Sequence, residues 1–278
     1  MIENAPDKKY LALKEILKPL VADGLIVALS GGVDSAFLTW AAECERQAIG
    51  GRLMALTALS ASFSQAEKAD VERFVASTGV QHVWEESHEL SNPAYLVNDS
   101  SRCFHCKAEL FDICRRTAQT HSLKWIAYGY NASDRGDTRP GHLAAIQADV
   151  LSPLEAADLT KEDIRHLMRD NGLAMADKPA SPCLSSRLMT GVRITPRKLG
   201  DVEQLEAILH DRGLKVFRVR VHEESGTRFL RLEVASDEMH LALEHRNDLI
   251  KEAMDRGYKW ITLDLAGYRT GGGNVQAK

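Results

Sequence analysis

Residues Leu25-Ile26-Val27-Ala28-Leu29-Ser30-Gly31-Gly32-Val33-Asp34-Ser35 place five consecutive apolar side chains before a glycine pair flanked by Ser30 and Val33. An unbroken apolar run of this length marks a parallel strand buried on both faces. The segment that follows, Val33 to Glu45, reads as a helix. A strand that turns through two glycines straight into a helix gathers backbone N–H groups and the positive helix end at one point, where an anion is held. Ser30 and Ser35 add hydroxyl donors for a pyrophosphate, and Asp34 is placed to hold the Mg²⁺ that accompanies ATP. A plain turn capped by Ser30 would account for a glycine pair, but the six-residue string between strand and helix is more specific than that.

The alternation extends outward from this loop. An amphipathic helix is expected over Lys8 to Val21. Downstream come a strand Leu53 to Leu59, a helix Ser64 to Thr78, a strand Gln81 to Glu85, a helix Cys106 to Ala118, a strand Lys124 to Tyr128 and a helix Lys161 to Asn171. This rhythm predicts an α/β fold with a doubly wound, mainly parallel sheet. From about Thr190 it changes to a helix Pro196 to His210, β-rich runs Lys215 to Val221 and Arg228 to Val234, a helix Asp237 to Met254 and a strand Trp260 to Leu263. The two β-rich runs can pair as a hairpin through Glu223-Glu224-Ser225-Gly226. We therefore divide the chain into an ATP-binding domain, 1–185, and a smaller C-terminal α+β domain, 186–278, to which the family resemblance given below assigns substrate phosphate binding and assembly. The tail from Gly271 is expected to pack against nothing.

At 278 residues, 44% hydrophobic and 27% charged, the chain has the composition of a globular protein with a packed core. No run reaches the ~18 to 20 apolar residues of a membrane span, and Met1 to Asp7 lack a secretory pattern, so a cytoplasmic protein without a membrane partner is expected. The net charge of −4 argues against wholesale nucleic-acid binding. Five cysteines without a secretory pattern point away from a disulfide framework. Cys44 and Cys114 lie singly in helical patterns and read as buried small apolar residues. His82, His88, His166 and the tryptophans Trp40, Trp84, Trp125 and Trp260 read as packing or surface residues.

Three cysteines remain. Cys103 and Cys106, in Arg102-Cys103-Phe104-His105-Cys106-Lys107, are three apart and can grip one metal or cluster between two flanking cations. Cys183 follows Pro179 and Pro182, which disfavour helix and place it on a loop. Three thiolates can hold three corners of a [4Fe–4S] cluster and leave one iron open. A zinc completed by histidine, a redox-active cysteine pair and three unrelated thiols satisfy the spacing as well.

Ser30-Gly31-Gly32-Val33-Asp34-Ser35 resembles the PP-loop of the N-type ATP pyrophosphatases, which cleave ATP between its α and β phosphates. Several longer strings narrow the resemblance: Arg102 to Lys107, Gly129-Tyr130-Asn131-Ala132-Ser133-Asp134, Asp137 to Gly141, Lys178-Pro179-Ala180-Ser181-Pro182-Cys183-Leu184-Ser185-Ser186-Arg187 and Gly267-Tyr268-Arg269. Together they are similar to the LarE family over nearly the whole chain. The resemblance implies an ATP-dependent sulfurtransferase acting on pyridinium-3,5-biscarboxylic acid mononucleotide, in the biosynthesis of the nickel-pincer nucleotide cofactor. It implies Cys183 as the sulfur-handling residue, and Cys103, Cys106 and Cys183 as ligands of a [4Fe–4S] cluster. A variant of the family chemistry sacrifices the sulfur of its single cysteine instead. The resemblance further implies nucleotide contacts from Gly129, Asn131 and Arg187, a phosphate or cation site containing Arg218, Glu206 and Asp237, Arg269 nearby, and a homo-oligomer. Where the family carries Gly-Thr-Asn this chain has Gly129-Tyr130-Asn131, a departure on the adenine side.

Arg187 to Arg231 contain ten Lys plus Arg against six Asp plus Glu, and Arg218 and Arg220 share one face of a strand. Ion pairing at the surface is the plainer role for such charges. Other classes stay open at this level. A PP-loop tRNA thiolase would need a basic face, an amidating synthetase would need an ammonia source, and a metal-stabilised binding module would ignore ATP.

Overall fold

The structure is a computed structural model and describes residues 5–136, 140–179 and 182–269. Asp137-Thr138-Arg139, Ala180-Ser181 and the tail from Thr270 lie outside the described residues, and with them parts of the strings quoted above. The chain divides into two compact units. One comprises residues 1–60, 65–89 and 103–181; the other comprises 61–64, 90–102 and 182–278.

In the first unit the elements alternate as α1 (Ala5–Asp23), β1 (Leu25–Ala28), α2 (Val33–Ile49), β2 (Leu53–Leu59), α3 (Gln65–Thr78) and β3 (His82–Glu86). After α4 (Pro93–Leu96), which belongs to the second unit, come α5 (Arg102–Thr120), β4 (Trp125–Tyr128), α6 (Pro140–Gln147), α7 (Pro153–Ala156) and α8 (Lys161–Asp170). The four strands are all parallel in the order β3-β2-β1-β4, and Leu151 adds one further parallel bridge beside Ala127. This is the α/β sheet expected. Alternate strand residues Ile26, Ala28, Met54, Leu56 and Tyr128 pack with Phe111, Cys114 and Ala118 of α5 and with Ala144 and Ala145 of α6. α1 and α2 also pack on β1. The strand order reverses at β1, so the carboxyl ends of β1 and β4 mark the switch point at which open α/β sheets place their ligands.

The helix carrying the two cysteines starts four residues earlier than the sequence suggested. Asp99 accepts from the Ser101 amide at 2.7 Å and from its hydroxyl at 2.6 Å, and this local turn launches α5 at Arg102. Cys103 and Cys106 therefore sit on its first turns. Cys114 is fully buried in the core, as expected, and Cys44 is half-buried.

The second unit contains α9 (Pro196–Asp211), β5 (Phe217–Glu224), β6 (Thr227–Val234), α10 (Met239–Glu244), α11 (Arg246–Asp255) and β7 (Ile261–Leu263). β5 and β6 form the antiparallel hairpin, closed by Ser225 and Gly226 with φ of 49° and 77°, the positive pair of a type I′ turn. β7 adds to β6 in parallel. Inward residues Val219, Val221, Leu230, Leu232 and Val234 alternate along the hairpin and meet Leu199, Val202, Leu205 and Leu209, spaced as one face of α9.

Two boundaries differ from expectation for visible reasons. The Lys215 and Val216 amides donate to the Glu238 carboxylate rather than to a strand ladder, so β5 begins at Phe217. The single helix expected over Asp237 to Met254 is broken at His245, whose ψ of 14° turns the chain between α10 and α11.

Candidate active site

β1 delivers the chain into Ser30. The Ser30 amide donates to Ser35 Oγ at 3.1 Å, the two hydroxyl oxygens lie 3.1 Å apart, and Ser35 Oγ reaches the Gly32 carbonyl at 3.1 Å. Gly31 holds φ at 75°, a conformation that strains any residue with a Cβ, and Gly32 is the N-cap of α2. Among the described residues no acceptor is bonded to the Gly31 or Gly32 amide. Unbonded amides at the start of a helix form an anion cradle.

Gly129, at the end of β4, presses against this loop. Asn131 next to it is buried and accepts from the Ser133 amide at 2.9 Å, fixing the short turn Ala132–Asp134. Tyr130, the departure from the family string, is buried and stacks on His142 with ring centroids 4.0 Å apart; its hydroxyl donates to the Asp134 carbonyl. Tyr128 and His142 Nδ1 share a 2.6 Å hydrogen bond.

Asp34 carries the clearest electrostatic signature. Burial raises its carboxyl pKa, Asp134 pushes the same way, and the Lys161 and Arg165 cations oppose them. Lys161 Nζ lies 3.5 Å from Oδ2, while Oδ1 is buried with no hydrogen-bond partner among the described residues. A buried carboxylate oxygen left without a donor is costly unless a ligand completes it. Asp34 thus fits a hard cation such as Mg²⁺.

Two lysines near the loop escaped the sequence reading. Lys161 opens α8 after the Thr160 cap, so its only sequence signal was a helix start. Lys178 stood inside a quoted string but received no role; its Nζ donates to the Gly31 carbonyl at 2.8 Å and pairs with Asp70 at 2.5 Å.

In the second unit, Cys183 precedes the short turn Leu184–Arg187, and guanidinium groups hold the carbonyls of that segment. Arg187 is buried. It donates to the Pro182 and Cys183 carbonyls and forms a two-point pair with Glu206, at 3.1 and 3.0 Å. Arg102 donates to the Ser185 carbonyl at 3.0 Å and Arg220 to that of Ser186 at 2.9 Å. Asn98 donates from its side-chain nitrogen to the Leu188, Met189 and Val192 carbonyls, and its side-chain oxygen accepts from Arg102 at 2.7 Å. Glu206 also accepts from the Val219 amide.

Arg218 and Arg220 share a face of β5 as expected, in unlike surroundings. Arg220 is buried and paired with Glu233 at 2.9 Å. Arg218 lies over the Tyr268 ring at 5.3 Å, and burial, followed by the neighbouring Arg187 charge, lowers its pKa. Arg269 is exposed, 3.8 Å from Asp264. Asp237 lies exposed on the turn Ser236–Glu238.

The cysteines fit an iron–sulfur cluster in chemical kind. Cys103 and Cys106 are one helical turn apart, exposed and half-buried respectively, and Cys183 belongs to the second unit. Among the described residues, however, no group of three or more His, Cys, Asp or Glu side chains is gathered to hold a metal ion. All five cysteines are thiols rather than disulfides.

The fold is therefore that of an α/β PP-loop domain followed by a smaller sheet domain, and comparison with known proteins gives its family. The chain is 33% identical over 251 residues to the uncharacterized protein slr1717 of Synechocystis sp., covering 90% of this chain and 91% of that protein, and it belongs to the same family. It is 26% identical over 246 residues to the pyridinium-3,5-bisthiocarboxylic acid mononucleotide synthase of Lactiplantibacillus plantarum, covering 88% and 87%, a likeness that supports the LarE family. It is also 24% identical over 175 residues to the uncharacterized protein MJ0830 of Methanocaldococcus jannaschii, covering 63% and 67%. No family model matches the chain.

Proposed function

We propose that this protein is an ATP-dependent sulfurtransferase that converts a carboxylate of a pyridinium mononucleotide into a thiocarboxylate, in the biosynthesis of the nickel-pincer nucleotide. The observation that carries the reading is the Ser30–Ser35 loop with the buried Asp34 Oδ1 beside it, which has no hydrogen-bond partner among the described residues; such groups suit a metal-bound polyphosphate. The likeness to the named synthase supports the substrate class.

The chemistry follows from leaving groups. A carboxylate would have to expel oxide, so its oxygen first attacks the α-phosphorus of ATP and the bond to pyrophosphate breaks. Sulfur then attacks the carbonyl carbon of the acyl adenylate, and AMP departs with the former carboxylate oxygen. In this scheme the Gly31 and Gly32 amides and the Ser30 and Ser35 hydroxyls hold the leaving pyrophosphate, and Asp34 holds Mg²⁺. Gly129 and Asn131 line the nucleotide side. Arg218 and Arg269 receive the substrate phosphate, and Arg187 orients the Cys183 turn. Glu206 and Asp237 belong to that second neighbourhood. Cys103, Cys106 and Cys183 are the proposed holders of a [4Fe–4S] cluster, which when bound would carry the extra sulfide that is transferred.

The test is pyrophosphate–ATP exchange dependent on the pyridinium carboxylate, with anaerobic iron and sulfide analysis of the wild type and Cys183→Ala. Exchange together with about four iron per chain, lost in the variant, is the expected result; absence of exchange overturns the reading. The family resemblance also carries a second reading, in which Cys183 sacrifices its own sulfur. That route leaves Cys183 as dehydroalanine after one turnover, which intact-mass analysis detects.

A further inference from the structure

The Gly31–Gly32 peptide joins two residues that lack a Cβ, one of them at φ 75°. Glycine crosses between positive and negative φ with little steric cost, so neither residue fixes which way this peptide faces. In a trans peptide the carbonyl and the N–H point in opposite directions. A flip would therefore carry the Gly32 N–H away from an anion and put a carbonyl oxygen in its place. An anion cradle made of two glycines needs a lock outside itself.

Lys178 supplies the only side-chain bond to this carbonyl among the described residues, Nζ to Gly31 O at 2.8 Å. The Lys178 side chain is 15% exposed, and its charge is balanced by Asp70 of α3 at 2.5 Å. Lys178 is thus held from behind by a carboxylate and spends a second donor on the loop. It lines a groove of about 750 Å³ with Trp40, Asp70, Phe74 and Met175.

We propose that Lys178 is a positioning residue of the phosphate loop: by holding the Gly31 carbonyl it keeps the Gly32 N–H turned to the opposite side, ready for the ATP phosphates. This deepens the reading above and rests on it.

The test is calorimetric titration of the full chain with MgATP for wild type, Lys178→Met and Asp70→Asn, with melting curves to verify folding. Lys178→Met removes the bond to Gly31 and is expected to weaken binding at least tenfold. Asp70→Asn removes the ion pair but leaves that bond, and is expected to stay within threefold of wild type. If loss of the ion pair were the whole effect, Asp70→Asn would match Lys178→Met, and the proposal would fall. It falls equally if Lys178→Met binds within threefold of wild type. Should the methionine variant not fold, Lys178→Gln, too short to reach Gly31, is judged by the same thresholds. A folded wild-type chain that does not bind MgATP sinks the functional reading itself, a result separate from either outcome above.

Discussion

Gly129 and Ser35 approach so closely that a Cβ on Gly129 would lie 2.6 Å from the Ser35 amide nitrogen and 2.9 Å from the Asp34 carbonyl carbon. The end of β4 is thus packed backbone to backbone against the start of α2. Backbone on both sides leaves no flexible side chain to give way. Gly129→Ala is expected to cost about 1–3 kcal/mol through overpacking and to displace the phosphate loop. Denaturant unfolding gives the first quantity, and MgATP titration should show weakened binding in the variant that remains folded.

Asp34→Asn should separate stability from function. Because burial holds the Asp34 pKa above its ordinary value, the folded state takes up a proton more readily than the unfolded chain. Its contribution to stability is present below the ordinary carboxylate pKa and is lost as pH rises through the raised value. At neutral pH the neutral amide removes that penalty, so the ligand-free variant should melt higher than wild type. Mg²⁺-dependent ATP binding should fall in the same variant. A lower melting point in the absence of ligand would contradict the burial argument.

Arg187 and Glu206 form a nearly buried two-point pair whose guanidinium also holds the carbonyls beside Cys183. Removing one partner of such a pair strands the other, at a cost of about 3–5 kcal/mol. Arg187→Ala is expected to lose stability on this scale in urea unfolding. Arg187→Lys should recover only part of it, because an ammonium cannot make the forked contact with Glu206.

His222 stacks on Phe229 with centroids 4.6 Å apart, and its Nε2 is buried with no hydrogen-bond partner among the described residues. Burial, then the Arg231 charge, lowers its pKa below the ordinary 6.5. With the folded value depressed, the unfolded chain binds the proton more tightly, so stability is lost as pH falls from 6.5 through the folded value. His222→Phe keeps a ring against Phe229 and removes the titration. Its stability should be flatter across this window, which urea unfolding at a series of pH values measures.

The elements written in short-range pattern were the ones the sequence displayed. Leu53 to Leu59 is a strand at those limits, and the Ser30–Ser35 loop lies where its glycines placed it between β1 and α2. The hairpin at Ser225-Gly226 was visible as turn chemistry. What stayed hidden depends on residues far apart in sequence. Lys178 meets Gly31 across 147 positions, Glu238 takes the Lys215 amide, and Gly129 meets Ser35; no local period records any of these. The Arg187–Glu206 pair shows the same limit, since both residues were singled out but not as partners.

The second unit takes in residues 61–64 and 90–102 as well as everything from 182 onward. On the ribosome these early pieces emerge first and must wait through the synthesis of β4 and α8 for the strands of their own unit. Loop closure over so long a stretch is slow compared with the local pairing of β5 and β6. The phosphate-loop sheet is therefore complete while the other unit still lacks most of its chain. A fragment ending near residue 181 retains the whole parallel sheet but leaves Tyr95 and Asn98 stripped of Ser185 and Leu188, exposing a surface that chaperones or proteases recognise.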